Sequence, residues 1–344
     1  MDLLLVPRLV AQLAGYLLAV MPDLLPIILA LATPLALGAL CGVVNERSGV
    51  VNIGIEGIML AAAFAGYLTG FALHPSVGSG PAIAAGVAVA VATGALIGLL
   101  HAWLSVSVRA DQIIAGTMIN IAAFGATGYL NRLVITPSGR GGAGVIAPFA
   151  VPPELGGLPV AGPLLRMFFD QGPIAMSVLF IAIALQVALF RSRWGLRTRA
   201  VGEHPRAADT VGIDVYRQRY LNVIFGCALA GLAGAYLTLE STGSFQNGMT
   251  GGRGFIALAA MIFGRWTPLG AFGGALLFGA ATALGVMVGV RPPEAELGQL
   301  LTAVPSPFYA ALPYLATIVI LAGVVGRSSP PAADGLPYEK ESRA

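Results

Sequence analysis

Between Gly57 and Val108 the chain carries no aspartate, glutamate, lysine or arginine. A helix needs about 20 predominantly apolar residues to cross a hydrocarbon core. This stretch is therefore too long for one crossing and long enough for two. His74-Pro75 and Gly78-Ser79-Gly80-Pro81 divide it into helices over roughly 57–73 and 81–106. Across the whole chain, charged residues make up 10% and hydrophobic ones 57%, against roughly 25% charged in a soluble domain. So little charge cannot cover a water-exposed surface. The expected class is an all-α polytopic membrane protein.

Further uncharged runs fit the same reading: Leu24–Val44, Ile113–Leu130, Gln171–Phe190, Tyr220–Leu239, Trp266–Val290 and Phe308–Gly326. Pro26 and Pro34 inside the first of these are tolerable in a packed bundle. Two shorter runs complete the set. Leu9–Pro22 lacks a cation-rich start and a small-residue cleavage site, so it reads as a retained first helix. Gly254–Gly264 is either a half-helix within the membrane or a short tilted span. Together these make about ten segments. The expected organisation is a transmembrane domain over 1–326, with a cytoplasmic loop at 191–219 inside it, and a Pro-rich, charged, disordered tail over 327–344. The long loop Asn131–Asp170, rich in proline and glycine, is expected to be ordered by turns rather than by helix.

Arginine placement orients the bundle. Arg191, Arg193, Arg197, Arg199, Arg206, Arg217 and Arg219 fall between two spans, which marks that loop as cytoplasmic. Alternating outward from it puts both termini inside and leaves five basic residues outside: Arg132, Arg140, Arg166, Arg253 and Arg291.

Composition also excludes several functions. The only lysine, Lys340, lies in the tail, so the chain has no GxxxxGK[ST] phosphate loop; nucleotide-driven work needs another polypeptide. A net charge of +3 is too thinly spread to point to nucleic acid. Cys41 and Cys227 lie in apolar runs, and His74, His101 and His204 are scattered, so no metal site and no catalytic constellation is expected. His101 is given no role.

Three polar clusters stand out. Asn45–Gly57 places carboxamides, Glu46 and Glu56 between apolar helices, where such groups need partners or a cavity. It is either a broken helix lining a path, or a short cytoplasmic turn in which Glu56 meets a helix N-terminus. Glu240–Gly254 is rich in hydroxyls, amides and glycine, and could line a path for a polar solute or form a solvated outer loop. The two clusters follow similar apolar helices, the pattern of a transporter built from two pseudo-repeated halves with broken helices. The third cluster, Trp194–Ile213, frames a two-turn helix from Pro205 to about Val211, with Glu203 ahead of it and Gly212 as its stop. A helix that short is stable only when packed on something.

The run Glu46-Arg47-Ser48-Gly49-Val50-Val51-Asn52-Ile53-Gly54-Ile55-Glu56-Gly57 resembles the N-terminal signature of ABC-transporter permeases for branched-chain amino acids, simple sugars and nucleosides. Gly195 and Ala200-Val201-Gly202-Glu203-His204-Pro205-Arg206-Ala207-Ala208 through Gly212-Ile213 resemble that family's cytoplasmic loop, although His204 stands where asparagine is more usual. Gly252–Ala271 is similar to the nucleoside-type branch. The resemblance covers roughly 20–326.

It implies one permease subunit of an ATP-driven importer in a bacterial-type inner membrane, in contact with membrane lipid. The implied partners are a cytoplasmic ATPase that supplies ATP and Mg, a second permease of a different chain, and an extracytoplasmic solute-binding protein. The chain itself would perform no covalent chemistry and hold no cofactor. The helix from Pro205 becomes the coupling helix, with Glu203, His204, Pro205, Arg206, Ala207, Ala208, Asp209 and Gly212 as the ATPase-facing residues. Asn45, Glu46, Asn52, Glu56, Gln246, Asn247, Thr250 and Arg253 are the candidates for the translocation path. Nucleosides lead as solute, with simple sugars next. The main rival is an ion-coupled secondary transporter using Glu46, Glu56 or Glu240.

Overall fold

The computed structural model describes residues 5–137, 144–159, 161–305, 308–309, 311–312, 315, 318 and 329–340. The described residues are all-helical, with no strand among them. In chain order the helices are α1 (Leu5–Glu46), α2 (Ile55–Val77), α3 (Ser79–Ala102), α4 (Gln112–Leu130), α5 (Pro153–Gly156), α6 (Ala161–Phe169), α7 (Pro173–Arg191), α8 (Arg193–Glu203), α9 (Pro205–Thr210), α10 (Val215–Ala235), α11 (Arg253–Phe263), α12 (Pro268–Val290) and α13 (Ala295–Thr302). Helices α3, α4 and α10 each widen into a π-helical turn at the C-terminal end, over Trp103–Ser107, Asn131–Ile135 and Tyr236–Thr242.

Seven of these helices are long and apolar enough to cross a membrane, and α11 is shorter. The expected division at His74–Pro81 is present: α2 runs through Pro75, and Gly78 turns the chain at φ +79°.

Three expectations change. Leu9–Pro22 and Leu24–Val44 are one helix, α1, of 42 residues. At 1.5 Å per residue it is about 63 Å long. Pro22 removes a single helical hydrogen bond, and no glycine follows to turn the chain, so the helix continues through Asp23. Second, the loop after α4 contains α5 and α6. Third, residues 329–340 are not disordered: Ala333 and Tyr338 are buried against the α8–α10 corner. The expected Phe308–Gly326 span falls mostly outside the described residues.

The chain forms two compact units. The first comprises Met1–Ala32, Pro148–Met176 and Leu276–Gly326. Val20, Leu24, Ala283 and Met287 form its core. Asp23 faces Arg166 at 3.9 Å and Arg291 at 3.5 Å, and Gln171 Nε2 donates to the Pro26 carbonyl (2.8 Å).

The second unit comprises Thr33–Ala147, Ser177–Ala275 and Arg327–Ala344. Helices α2, α3 and α10 meet there through small residues, as membrane helices do where backbones approach closely. A Cβ on Gly94 would lie 2.3 Å from the Cys227 carbonyl oxygen, and one on Gly234 2.4 Å from that of Met59. All three polar clusters lie in this unit.

Candidate functional site: two broken segments and a helix-capped corner

The first break follows Glu46. Arg47–Gly49 turn, with Gly49 at φ +84°, and Val50–Gly54 run without helical bonds until α2 begins. A buried backbone stripped of its ladder needs side-chain partners. Here they come from α3 and α4. His101 Nε2 donates to the Val51 carbonyl (2.9 Å), and the Val51 N–H donates to Gln112 Oε1 (2.7 Å). Asn120 Nδ2 donates to the Ile53 carbonyl (3.0 Å), while its Oδ1 accepts from the Gly57 N–H (2.7 Å). The segment is thus a buried break, not a solvated turn.

Its polar side chains are buried too. Asn45 Nδ2 lies 3.5 Å from Cys41 Sγ and 3.7 Å from Cys227 Sγ, and Asn52 Nδ2 lies 3.2 Å from Cys227 Sγ. Asn52 Oδ1 accepts from the Gly54 N–H at 3.0 Å. Glu46 accepts from Trp266 Nε1 at 2.5 Å.

The second break follows the π-turn of α10. Gly243, Gly248, Gly251 and Gly252 all take positive φ, a conformation glycine adopts without steric cost. Arg253 folds back, its Nη1 donating to the carbonyls of Met249 (2.7 Å) and Thr250 (3.2 Å). Glu56, 3% exposed, joins the two breaks. Its Oε1 accepts from the Gly252 N–H (2.8 Å) and its Oε2 from the Gly254 N–H (2.6 Å). The carboxylate therefore sits on the positive end of α11, where charge and hydrogen bonding both favour it.

Gln246 and Asn247 are exposed, and Asn247 Oδ1 accepts from Asn131 Nδ2 at 2.9 Å. Thr250 is buried with an unpartnered Oγ1; the buried Asn45 Oδ1, His101 Nδ1, Ser105 Oγ and Gln112 Nε2 are likewise unpartnered. The spare hydrogen-bonding capacity lies mainly on the helices around the first break, with Thr250 alone in the second.

The third cluster forms a corner. The Ser192 hydroxyl caps α8 by accepting from the Gly195 N–H (3.1 Å). Pro205 opens α9, and Gly212, at φ +84°, closes it with bonds from Gly212 N to Asp209 O (2.9 Å) and from Ile213 N to Ala208 O (3.0 Å). The helix ends at Thr210 with Val211 as its cap, matching the expected end at about Val211. Asp214 then caps α10 through the Arg217 N–H. Ala208 is buried with Val201, Val215 and Tyr338 and anchors α9; Glu203, His204, Arg206 and Ala207 face outward.

The tail closes over this corner. The Ala333 N–H donates to Gly202 O (2.9 Å), the Ala332 N–H to Glu203 Oε2 (3.1 Å), and Arg219 Nη1 to Leu336 O (2.9 Å). Tyr338 packs on Tyr216 with ring centroids 5.6 Å apart, and Glu339 pairs with Arg109. Arg219 is wholly buried, and its Nε also donates to Ser48 O (3.2 Å). A buried guanidinium needs a counter-charge. Asp334 supplies one, while contacting Glu46 as well. Burial raises the Asp334 carboxyl to about 6. The composition of the tail favours disorder, but these anchors lie far away in sequence and override it. Between α9 and the tail runs a groove of about 790 Å³, lined by Pro205, Arg206, Ala207, Leu336 and Pro337 among others.

Gln112, Asn120, Trp266 and His101 were not singled out from the sequence as working residues. Gln112 and Asn120 had a signal: two carboxamides on one face of an otherwise apolar helix. His101, a lone histidine late in an apolar span, is expected to be hydrogen-bonded rather than to act chemically, and Trp266 carries no signal.

A multi-pass helical protein with one buried break, a second partly exposed one and an outward-facing short helix between long spans has the make-up of a transport protein. The family described as "Branched-chain amino acid transport system / permease component" matches residues 24–321, and the chain belongs to it. It is 40% identical over 325 residues to the guanosine ABC transporter permease protein NupQ of Bacillus subtilis, covering 93% of this chain and 97% of that one. It is 38% identical to the nucleoside ABC transporter permease protein NupC of Lactococcus lactis, over 90% of this chain and 94% of that one. It is 34% identical to the putative glucose ABC transporter permease protein TsgC13 of Haloferax volcanii, over 86% and 90%. No solved structure matches the chain.

Proposed function

We propose that this chain is the membrane-spanning subunit of an ATP-driven ABC importer for nucleosides. The observation that carries the reading is α9: six residues anchored at the buried Ala208, with Arg206, Ala207 and Thr210 exposed between α8 and α10. Such a helix makes sense as a contact for a partner. The similarity to NupQ and NupC supports nucleosides as the solute, and the similarity to TsgC13 keeps simple sugars as the second choice.

The ATPase binds at Glu203–Asp209 and supplies ATP and Mg. A second, different permease completes the pathway, and an extracytoplasmic binding protein delivers the solute. The arginine-rich corner, and the tail packed on it, face the cytoplasm of a bacterial-type cell. The two stretches α1–(45–54)–α2 and α10–(243–252)–α11 are the corresponding broken elements of two halves. Asn45, Asn52, Thr250, Gln246 and Asn247 line the path between them; Glu46, Glu56 and Arg253 shape it. ATP-driven closure of the motor shifts α9 and changes the relative stability of two packings of the bundle.

The ion-coupled alternative loses ground because Glu56 spends both oxygens on the α11 N-terminus and Glu46 is held by Trp266. The test is uptake into proteoliposomes. The full assembly takes up labelled nucleoside only with ATP inside the motor compartment. Gradient-driven uptake by this chain alone overturns the reading.

A further inference from the structure

The tail does more than cover a surface, because its contacts bracket α9. On the N-terminal side of α9, Gly202 O and Glu203 Oε2 accept from the N–H groups of Ala333 and Ala332. On its C-terminal side, Asp209 lies 3.6 Å from Lys340 Nζ. Between these points Tyr338 closes the apolar cluster that also holds Ala208.

The other side of the same tail meets the first break. Leu336 O takes Arg219 Nη1, and Arg219 passes on to Ser48 O through its Nε. A Cβ on Gly49 would fall 2.7 Å from Arg219 Nη2 and 3.0 Å from the Ala333 carbonyl oxygen, so tail, arginine and turn are packed without slack. Asp334 contacts Glu46, the last residue of α1. Directly beneath, a Cβ on Gly202 would lie 2.2 Å from the Arg47 carbonyl oxygen.

We propose that residues 332–340 are positioning residues for energy coupling: a strap that holds α9 in register with the Glu46–Asn52 segment, so that displacement of α9 reaches the break. The proposal rests on the importer reading. Contacts in series pass on a displacement only if each link resists it. The strap supplies links at both ends of α9, where Ala208 alone would let the helix pivot.

The experiment uses the full reconstituted assembly and reads three quantities: co-purification of the ATPase, its hydrolysis rate, and nucleoside moved per ATP hydrolysed. The variants are deletion of 329–344, the milder Tyr338→Ala, and the conservative Tyr338→Phe, which keeps the ring. The expected result for the deletion and for Tyr338→Ala is retained assembly and hydrolysis. Nucleoside moved per ATP should fall at least about fivefold, the lower end of usual coupling energies. Tyr338→Phe should stay near the parent. Unchanged stoichiometry in the deletion overturns the strap. Loss of ATPase co-purification in Tyr338→Ala also overturns it, because the tail is then a docking or folding element. Failure of the parent assembly to use ATP at all sinks the importer reading instead, so the two failures are distinct.

Discussion

Glu56 at the start of α2 and Gly254 at the start of α11 are locked together: the carboxylate accepts the Gly254 N–H at 2.6 Å, and a Cβ on the glycine would come 2.5 Å from the Glu56 nitrogen. One acid thus ties both broken segments, and the glycine is what lets it approach.

Glu56→Gln should destabilise the protein by roughly 1–3 kcal/mol, because the amide can accept only one of the two buried N–H groups and carries no charge. Thermal unfolding in detergent reads this as a lowered midpoint. An unchanged midpoint would mean that the acid is not a structural cap.

Gly254→Ala should cost roughly 1–3 kcal/mol by overpacking. Gly273→Ala is the matched control, since nothing lies within 4 Å of the added Cβ. Equal midpoints for the two variants would contradict the close approach.

Asn120 holds the first break from both sides, so Asn120→Asp should loosen it. The carboxylate still accepts from Gly57 but cannot donate to the Ile53 carbonyl. Hydrogen exchange over Val50–Gly57 is expected to quicken, with exchange in α10 unchanged as the internal reference.

Docking of the tail should weaken as pH rises. Burial lifts Asp334 from the ordinary 3.8 to about 6 against the opposing pull of Glu46 and Arg219, so the docked tail binds a proton that the free tail releases. The stabilisation from Asp334 is full below 3.8 and is lost as pH rises through about 6. A nitroxide on Pro330→Cys should report rising mobility across that window. Asp334→Asn, which has no proton to lose, should flatten the response.

Arg206→Glu should leave membrane insertion intact and reduce ATP-driven uptake by at least about tenfold, a loss of about 1.4 kcal/mol in the coupled state. Ala208→Asp differs in kind: it places a charge in the buried anchor and should unseat α9, seen as protease sensitivity at the α8–α9 corner.

The parts that could be read from sequence are those governed by local chemistry. Pro205 and Gly212 bound a helix because one presets φ and the other tolerates a left-handed turn, and both act within a few residues. The glycines and carboxamides of Asn45–Gly57 announce a break for the same reason. What each polar group bonds to was not legible. Glu56 as a helix cap, His101 as a backbone prop and Trp266 as a partner of Glu46 depend on contacts across distant segments. The tail misled because its composition resembles disorder, while Arg219 and Tyr216, which hold it, lie in another helix. The continuity of α1 was missed because proline at Pro22 weakens a helix without ending it.

The glycine seams between α2, α3 and α10 have a mechanical consequence. Where Gly94 and Gly234 bring one helix backbone onto another, no side-chain cushion exists to shear. In the importer proposed above, these three helices should move together, and a displacement of the bundle would be taken up at the joints between helices, Val50–Ile53 and Gly243–Gly251.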